Sequence, residues 1–302
     1  MLIPAAGKVA LFAGVGRAES PAGQAMTEPL VLDPYAMWRE ALAEVDAAFA
    51  SPPALDRPVW GCTHCTPESE LRLLGGDPAQ VPDDLLGHFM RATASHWAED
   101  QYPVLWRRFI PRALRMWGPD GDGTDPSYEM GRLGAGGARL ADWPVAERVA
   151  VEHAFRALLT VAVTSGSSHE RCTELIEGIA HATGSLDPWL DHISGLVGPE
   201  ADAGVVRLAT GWAVELLWEE LEFTWWYDGD PQLIARWLPT LRPRIAAFAA
   251  RHPRCKNASD ALIGLDALDA GTGSLWLYPY HEGAVQVPLA RNAAQASGAT
   301  VK

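Results

Sequence analysis

Apolar residues in this chain recur at helical spacing over most of its length. Between 34 and 50 they fall at Tyr35, Met37, Trp38, Leu42, Val45 and Phe49. That spacing is close to i, i+3/i+4, i+7 and predicts an amphipathic helix. Asp33-Pro34 supplies a cap followed by proline at the first helical position. A short helix follows over 67–74, ended by Gly75-Gly76-Asp77-Pro78. Residues 82–98 predict another, with Asp83 and Asp84 favouring the helix dipole and Leu85, Phe89, Ala92 and His96 on one face. The segment 101–117 continues helically, and Pro111 inside it should kink it and leave the Arg107 carbonyl without its usual partner. The glycine- and aspartate-rich stretch 118–137 reads as a long loop carrying one turn around Tyr128. Helices are predicted again over 142–163, 168–183 and 187–196. The segment 201–227 is the longest and is apolar on several faces, so it belongs at the centre. The stretch 230–252 is interrupted at Pro239 and Pro243, and 257–268 closes the helical series. Residues 275–280 read as one short strand or an extended arm.

About ten helices with short connections predict an all-α fold, a compact array of antiparallel helices, with a short irregular solenoid as the alternative. Arg108-Phe109-Ile110-Pro111 and Arg236-Trp237-Leu238-Pro239 repeat one pattern, which duplication or chance would explain. Residues 1–28 read as an extension outside the core, with Met26 a second candidate start and only a weak signal-peptide pattern. Residues 29–282 read as a single helical domain with a candidate subdivision near 118–142, and 283–302 as a poorly ordered tail.

The 302 residues carry a formal net charge of −14 and a pI near 5.0. Such a surface repels phosphate backbones and anionic membranes, so neither nucleic acid nor membrane is expected as a partner. No apolar run reaches the roughly 20 residues of a membrane helix. Four cysteines are too few for a disulfide framework, and cytoplasmic residence is the default expectation.

Two of those cysteines stand in Trp60-Gly61-Cys62-Thr63-His64-Cys65-Thr66-Pro67. A turn at Cys-x-x-Cys spacing brings two sulfurs together, as half a zinc site or a redox pair requires. Cys62, Cys65, His64, His88 and His96 are therefore the candidate metal ligands, with zinc the candidate ion. On one helix His88 and His96 would be about 80° apart and converge only loosely. Reduced thiols packed under Trp60 are the alternative, and a redox or disulfide role is a third. Thioredoxin-type chemistry is disfavoured by the missing βαβ context.

Arg107, Arg108, Arg112 and Arg115 lie within nine residues, and the last three share a helical face. Guanidinium forks of this kind bind carboxylate or phosphate, or else pair with the chain's own acids such as Asp83, Asp84, Glu99 or Asp100. Glu170, Glu174, Glu177 and His181 also share a face. Its spacing misses the di-iron bundle pattern, so it reads as solvated. Glu215, Glu219 and Glu222 stand among Trp212, Trp218, Trp225 and Trp226. An aromatic setting raises carboxylate pKa values, which makes the three the candidate general acids, against an exposed stripe as the plainer reading. Thirteen tryptophans are mostly core material. Trp218, Trp225 and Trp226, extending to Trp237, could also line a ligand pocket or a partner interface. Gly14-Val15-Gly16 and Asp120 to Asp125 imitate a dinucleotide fingerprint and a calcium loop but lack required glycines, and the second lacks the bidentate glutamate.

Cys62 and Cys65, then Phe109-Ile110-Pro111-Arg112, then Trp143-Pro144-Val145-Ala146-Glu147-Arg148 form a pattern that resembles bacterial all-helical proteins of uncharacterised function. The resemblance spans roughly the first half of the chain and implies no activity. The reading that results is a helical binding or scaffold protein. It would present the Arg108/Arg112/Arg115 face or a tryptophan-lined groove to a protein partner or a small acidic ligand. An enzyme with an apolar pocket acting through Glu or Asp, and a zinc enzyme at Cys62/Cys65, are the alternatives.

Overall fold

Asp33 opens the first helix by accepting the Tyr35 amide at 3.0 Å, with Pro34 at the next position. The computed structural model describes residues 33–119, 121, 125–218, 221, 230–270, 272–274 and 286–288. The chain divides into Met1–Val31 and Leu32–Lys302, and all described residues belong to the second part. The fold is all-α. The described helices are α1 (Pro34–Ala48), α2 (Glu68–Gly75), α3 (Asp83–Arg91), α4 (Tyr102–Trp117), α5 (Pro126–Gly131) and α6 (Val145–Thr164), then α7 (His169–Thr183), α8 (Asp187–Gly195), α9 (Pro199–Trp218), α10 (Asp230–Trp237), α11 (Arg242–Arg251) and α12 (Lys256–Asp269). One short antiparallel pair, Thr272–Ser274 with Gln286–Pro288, lies beyond them. The predicted arm at 275–280 falls outside the described residues. No described helix is long and apolar enough to cross a membrane.

Packing skips along the chain. Helix α1 lies on α6 and α4, α5 lies on α7 and α3, and α9 packs against α6, α7, α10, α11 and α12. A solenoid touches only its sequence neighbours, so the array is not one, and α9 is central as its all-round apolar pattern predicts. One aromatic cluster centres on Phe89, whose ring lies 5.1–5.8 Å from those of Trp97, Tyr102, Trp106 and Phe109. Trp106 stacks in turn on Trp117 at 6.2 Å. A second joins Trp212 to Trp237 at 5.7 Å. Edge and tilted contacts of this kind add to the area each ring buries.

Two expectations, the helix over 82–98 and the solvated face of α7, fail for identifiable reasons. The helix predicted over 82–98 stops at Arg91, because Ala92 turns to an extended conformation and Trp97 forms a bridge with Gly61. His96 therefore lies beyond the helix that was to align it with His88. The two Arg-aromatic-aliphatic-Pro segments occupy different places, one inside α4 and the other where α10 passes into the 3-10 turn Leu238–Leu241. Helix α4 continues past Pro111 to Trp117. The face of α7 read as solvated instead buries Glu177, because α5 lies across it. Helix α5 itself starts at Asp125-Pro126, the same cap and proline that open α1.

Candidate functional site

The arginines of α4 are held inside the chain. Arg107 makes a two-pronged pair with Glu147, both contacts at 2.6 Å. Arg108 donates to the carbonyls of Pro53, at 2.7 Å, and Gly76. Arg112 donates to the carbonyls of Pro78 (2.7 Å) and Val81 (2.5 Å) and to Asp83. Arg115 reaches Asp46 at 2.6 Å and the Pro111 carbonyl at 2.5 Å. Arg108 and Arg112 tie the segments on either side of α2 to α4, and Arg107 and Arg115 tie α4 to α6 and α1. Arg112→Ala should lower stability by about 1–3 kcal/mol, the range for charged hydrogen bonds that are partly open to water. Arg112→Lys should recover little, since one ammonium cannot span three acceptors in the guanidinium plane. Urea unfolding of both variants checks this, and full recovery by lysine would rule out the clamp.

The same loops carry the cysteines. The Cys62 amide donates to the His96 carbonyl at 2.8 Å, and the Cys62 carbonyl accepts from the amides of Cys65 (3.0 Å) and Thr66 (2.9 Å). This closes a turn with both thiols reduced and partly exposed. The amides of Cys65 and His64 and the Cys65 thiol face the Cys62 sulfur and hold its pKa below the usual thiol value. The thiol of Cys65 goes up, because it donates to Cys62 and is itself partly desolvated. His64 is exposed, and His88 lies 3.4 Å from Thr66 Oγ1. Among the described residues no three His, Cys, Asp or Glu side chains gather as a metal site would need. The zinc expectation at Cys62, Cys65, His64, His88 and His96 thus stops at two sulfurs. A turn brings the two cysteines together, but His64 on the same turn is exposed, and His88 and His96 belong to separate elements.

Beside this turn opens a cleft of about 620 Å³, lined by Val59, Trp60, Gly61, Thr63, Leu71 and Arg72 among others. Buried Gln101 holds the cleft wall from behind. It accepts the Trp60 amide at 2.8 Å and donates to the Pro58 carbonyl at 3.0 Å. The Ala98 amide donates to the Trp60 carbonyl at 3.3 Å. The backbone of Trp60 is thus fixed on both sides, yet its ring is 58% exposed. The expectation that Trp60 covers the cysteines fails, because Trp60 is exposed to solvent. Arg72 stands at the rim, and its ion-pair partner among the described residues is Glu68, loosely held at 3.8 Å.

The remaining candidates are dispersed. Glu215 is paired with His169 at 2.9 Å instead of lying alone among aromatic rings. Accepting that bond, it raises the His169 pKa. Glu219, Glu222, Trp225 and Trp226 lie outside the described residues. Trp218 is partly buried at the end of α9, and Trp237 is a core residue bonded to Ser194 Oγ at 2.8 Å. Sequence reasoning missed Glu129, which is fully buried and accepts from Trp117 Nε1 at 2.8 Å and Arg91 Nη1 at 3.2 Å. The Asp125-Pro126 cap was the available signal for the helix that carries it. Compared with protein-family models, curated proteins and solved structures, the chain matches none.

Proposed function

We propose that this is a helical binding protein whose ligand site is the cleft of Trp60, and whose ligand is a small amphipathic acid. The observation that carries the reading is an exposed indole on a backbone clamped from behind by Gln101. Large exposed rings on rigid backbone lose little entropy on binding and serve as anchors. The volume falls within the range of small-molecule pockets. Val59 and Leu71 offer an apolar floor to a ligand's body, and Arg72 offers a cation to its acid group. Anilinonaphthalene sulfonate is a suitable probe, because it joins an aromatic body to an anion. It should bind the folded chain at one site. Trp60→Ala should weaken it about thirty-fold, corresponding to about 2 kcal/mol. Arg72→Ala should weaken it less and remove most of the salt dependence. Unchanged titration of the Trp60→Ala variant would overturn the reading.

A further inference from the structure

We infer that Cys62 and Cys65 form a thiol–disulfide exchange pair, with Cys62 the attacking sulfur, Cys65 the resolving sulfur and an accessible disulfide the substrate class. The inference does not rest on the ligand reading of the cleft, since it uses only the two partly exposed cysteines of the turn.

Three observations carry it. The two cysteines share one turn, closed by the Cys65 and Thr66 amides on the Cys62 carbonyl. That turn is fixed at its start by the bond from the Cys62 amide to the His96 carbonyl and by the Gly61–Trp97 bridge. Both thiols are partly open to solvent and both are reduced. The other cysteines differ. Cys172 is buried in α7, and burial pushes its thiol up to about 11. Cys255, which caps α12, has no cysteine within 80 residues of sequence.

The roles within the pair follow from hydrogen bonding. The amides of Cys65 and His64 and the Cys65 thiol hold the pKa of Cys62 below the usual thiol value, and the bond to Cys62 holds that of Cys65 above it. Cys62 is therefore the more readily ionised of the two, and thiolate is the form that attacks. Exchange runs in two displacements. Cys62 thiolate attacks one sulfur of the substrate disulfide, forming a mixed disulfide and expelling the other half as thiolate. Cys65 then loses its proton and attacks the Cys62 sulfur, closing the Cys62–Cys65 bond and releasing the second half. Two electrons pass from the dithiol to the substrate. The two protons end on the released thiolates. None of this requires a βαβ fold, only two sulfurs on one turn with unequal thiolate character.

The test uses the full reduced chain and oxidised glutathione at neutral pH, quenched in acid and mapped by mass spectrometry. A Cys62–Cys65 disulfide is expected, lighter by two hydrogens, while Cys172 stays a thiol. In Cys65→Ser the reaction should stop at one glutathione on Cys62. In Cys62→Ser, glutathione should reach Cys65 more slowly than it reaches Cys62 in the converse variant, because only Cys62 keeps the two backbone amides that favour its thiolate. Absence of the wild-type disulfide at every ratio of oxidised to reduced glutathione would overturn the inference. Faster modification of Cys65 than of Cys62 in the two variants would overturn the assigned roles. The wild-type result stands even if a serine variant fails to fold.

Discussion

Gly204→Ala is expected to cost about 2–4 kcal/mol, against the local preference of the helix that holds it. Alanine is favoured over glycine inside a helix by about 1 kcal/mol, so α9 in isolation would gain. In the folded chain a methyl at this position would stand 2.0 Å from the Val163 carbonyl oxygen and 2.8 Å from Val163 Cγ1. That oxygen belongs to the backbone of α6 and cannot rotate aside. Relief requires the two helices to separate, and overpacking of this kind costs about 1–3 kcal/mol and sometimes more. The same carbonyl accepts from Arg207 at 3.1 Å, so the shift would disturb that bond as well. Gly195→Ala is the control, because nothing lies within 4 Å of its added methyl. Urea denaturation of the two variants decides the matter. Equal stability for both would mean that α6 and α9 are not in backbone contact.

Trp117 carries the second large effect. Its ring is fully buried, stacks on Trp106 and donates from Nε1 to Glu129 Oε2. Trp117→Ala should cost about 3–5 kcal/mol for the lost burial and the cavity left behind, a large fraction of the stability of an ordinary domain. Trp117→Phe is more informative, because it keeps a ring and removes the donor. Burial already holds the Glu129 carboxyl above its ordinary value of 4.5, partly offset by the Trp117 and Arg91 bonds. A raised carboxyl pKa means the folded chain holds the proton more tightly than the unfolded chain does. Its contribution to stability therefore falls as pH rises from 4.5 through the raised value, and the penalty is complete above it. Loss of the indole donor raises that pKa further. The variant should thus be more destabilised at about pH 8 than at about pH 5. An equal difference at both values would show that Glu129 does not depend on Trp117 for its charge.

How much of this was legible in the sequence depends on how far apart the interacting residues lie. The all-α architecture and the centrality of α9 came from apolar periodicity, a property of each segment by itself. Asp33-Pro34 marked the start of α1, but the same dipeptide at Asp125-Pro126 went unread, because the surrounding glycines and aspartates made 118–137 look like a loop with one turn around Tyr128. The pairing of Cys62 with Cys65 was legible because a single turn joins them. The role of the α4 arginines was only half legible. Their shared face was plain from spacing, but their acceptors include the carbonyls of Pro53, Gly76, Pro78 and Val81. Backbone carbonyls have no signature in side-chain pattern.

Tertiary contact decided the rest. Glu177 reads as solvated from its own helix, and only the packing of α5 across α7 buries it. Glu129 is an ordinary acid in a short segment until α3 and α4 bring Arg91 and Trp117 to it. The third metal ligand failed to appear because His88 and His96 are placed by separate elements, which Ala92 disconnects. Trp60 was expected over the cysteines, yet its ring is exposed to water on a backbone held by Gln101, forty-one residues away in sequence. The helices and the cysteine turn are encoded locally, because their bonds close within a few residues. Which charges are buried, which ring is exposed and where a cleft opens depended on the tertiary structure, because those follow from surfaces that meet only after the helices pack.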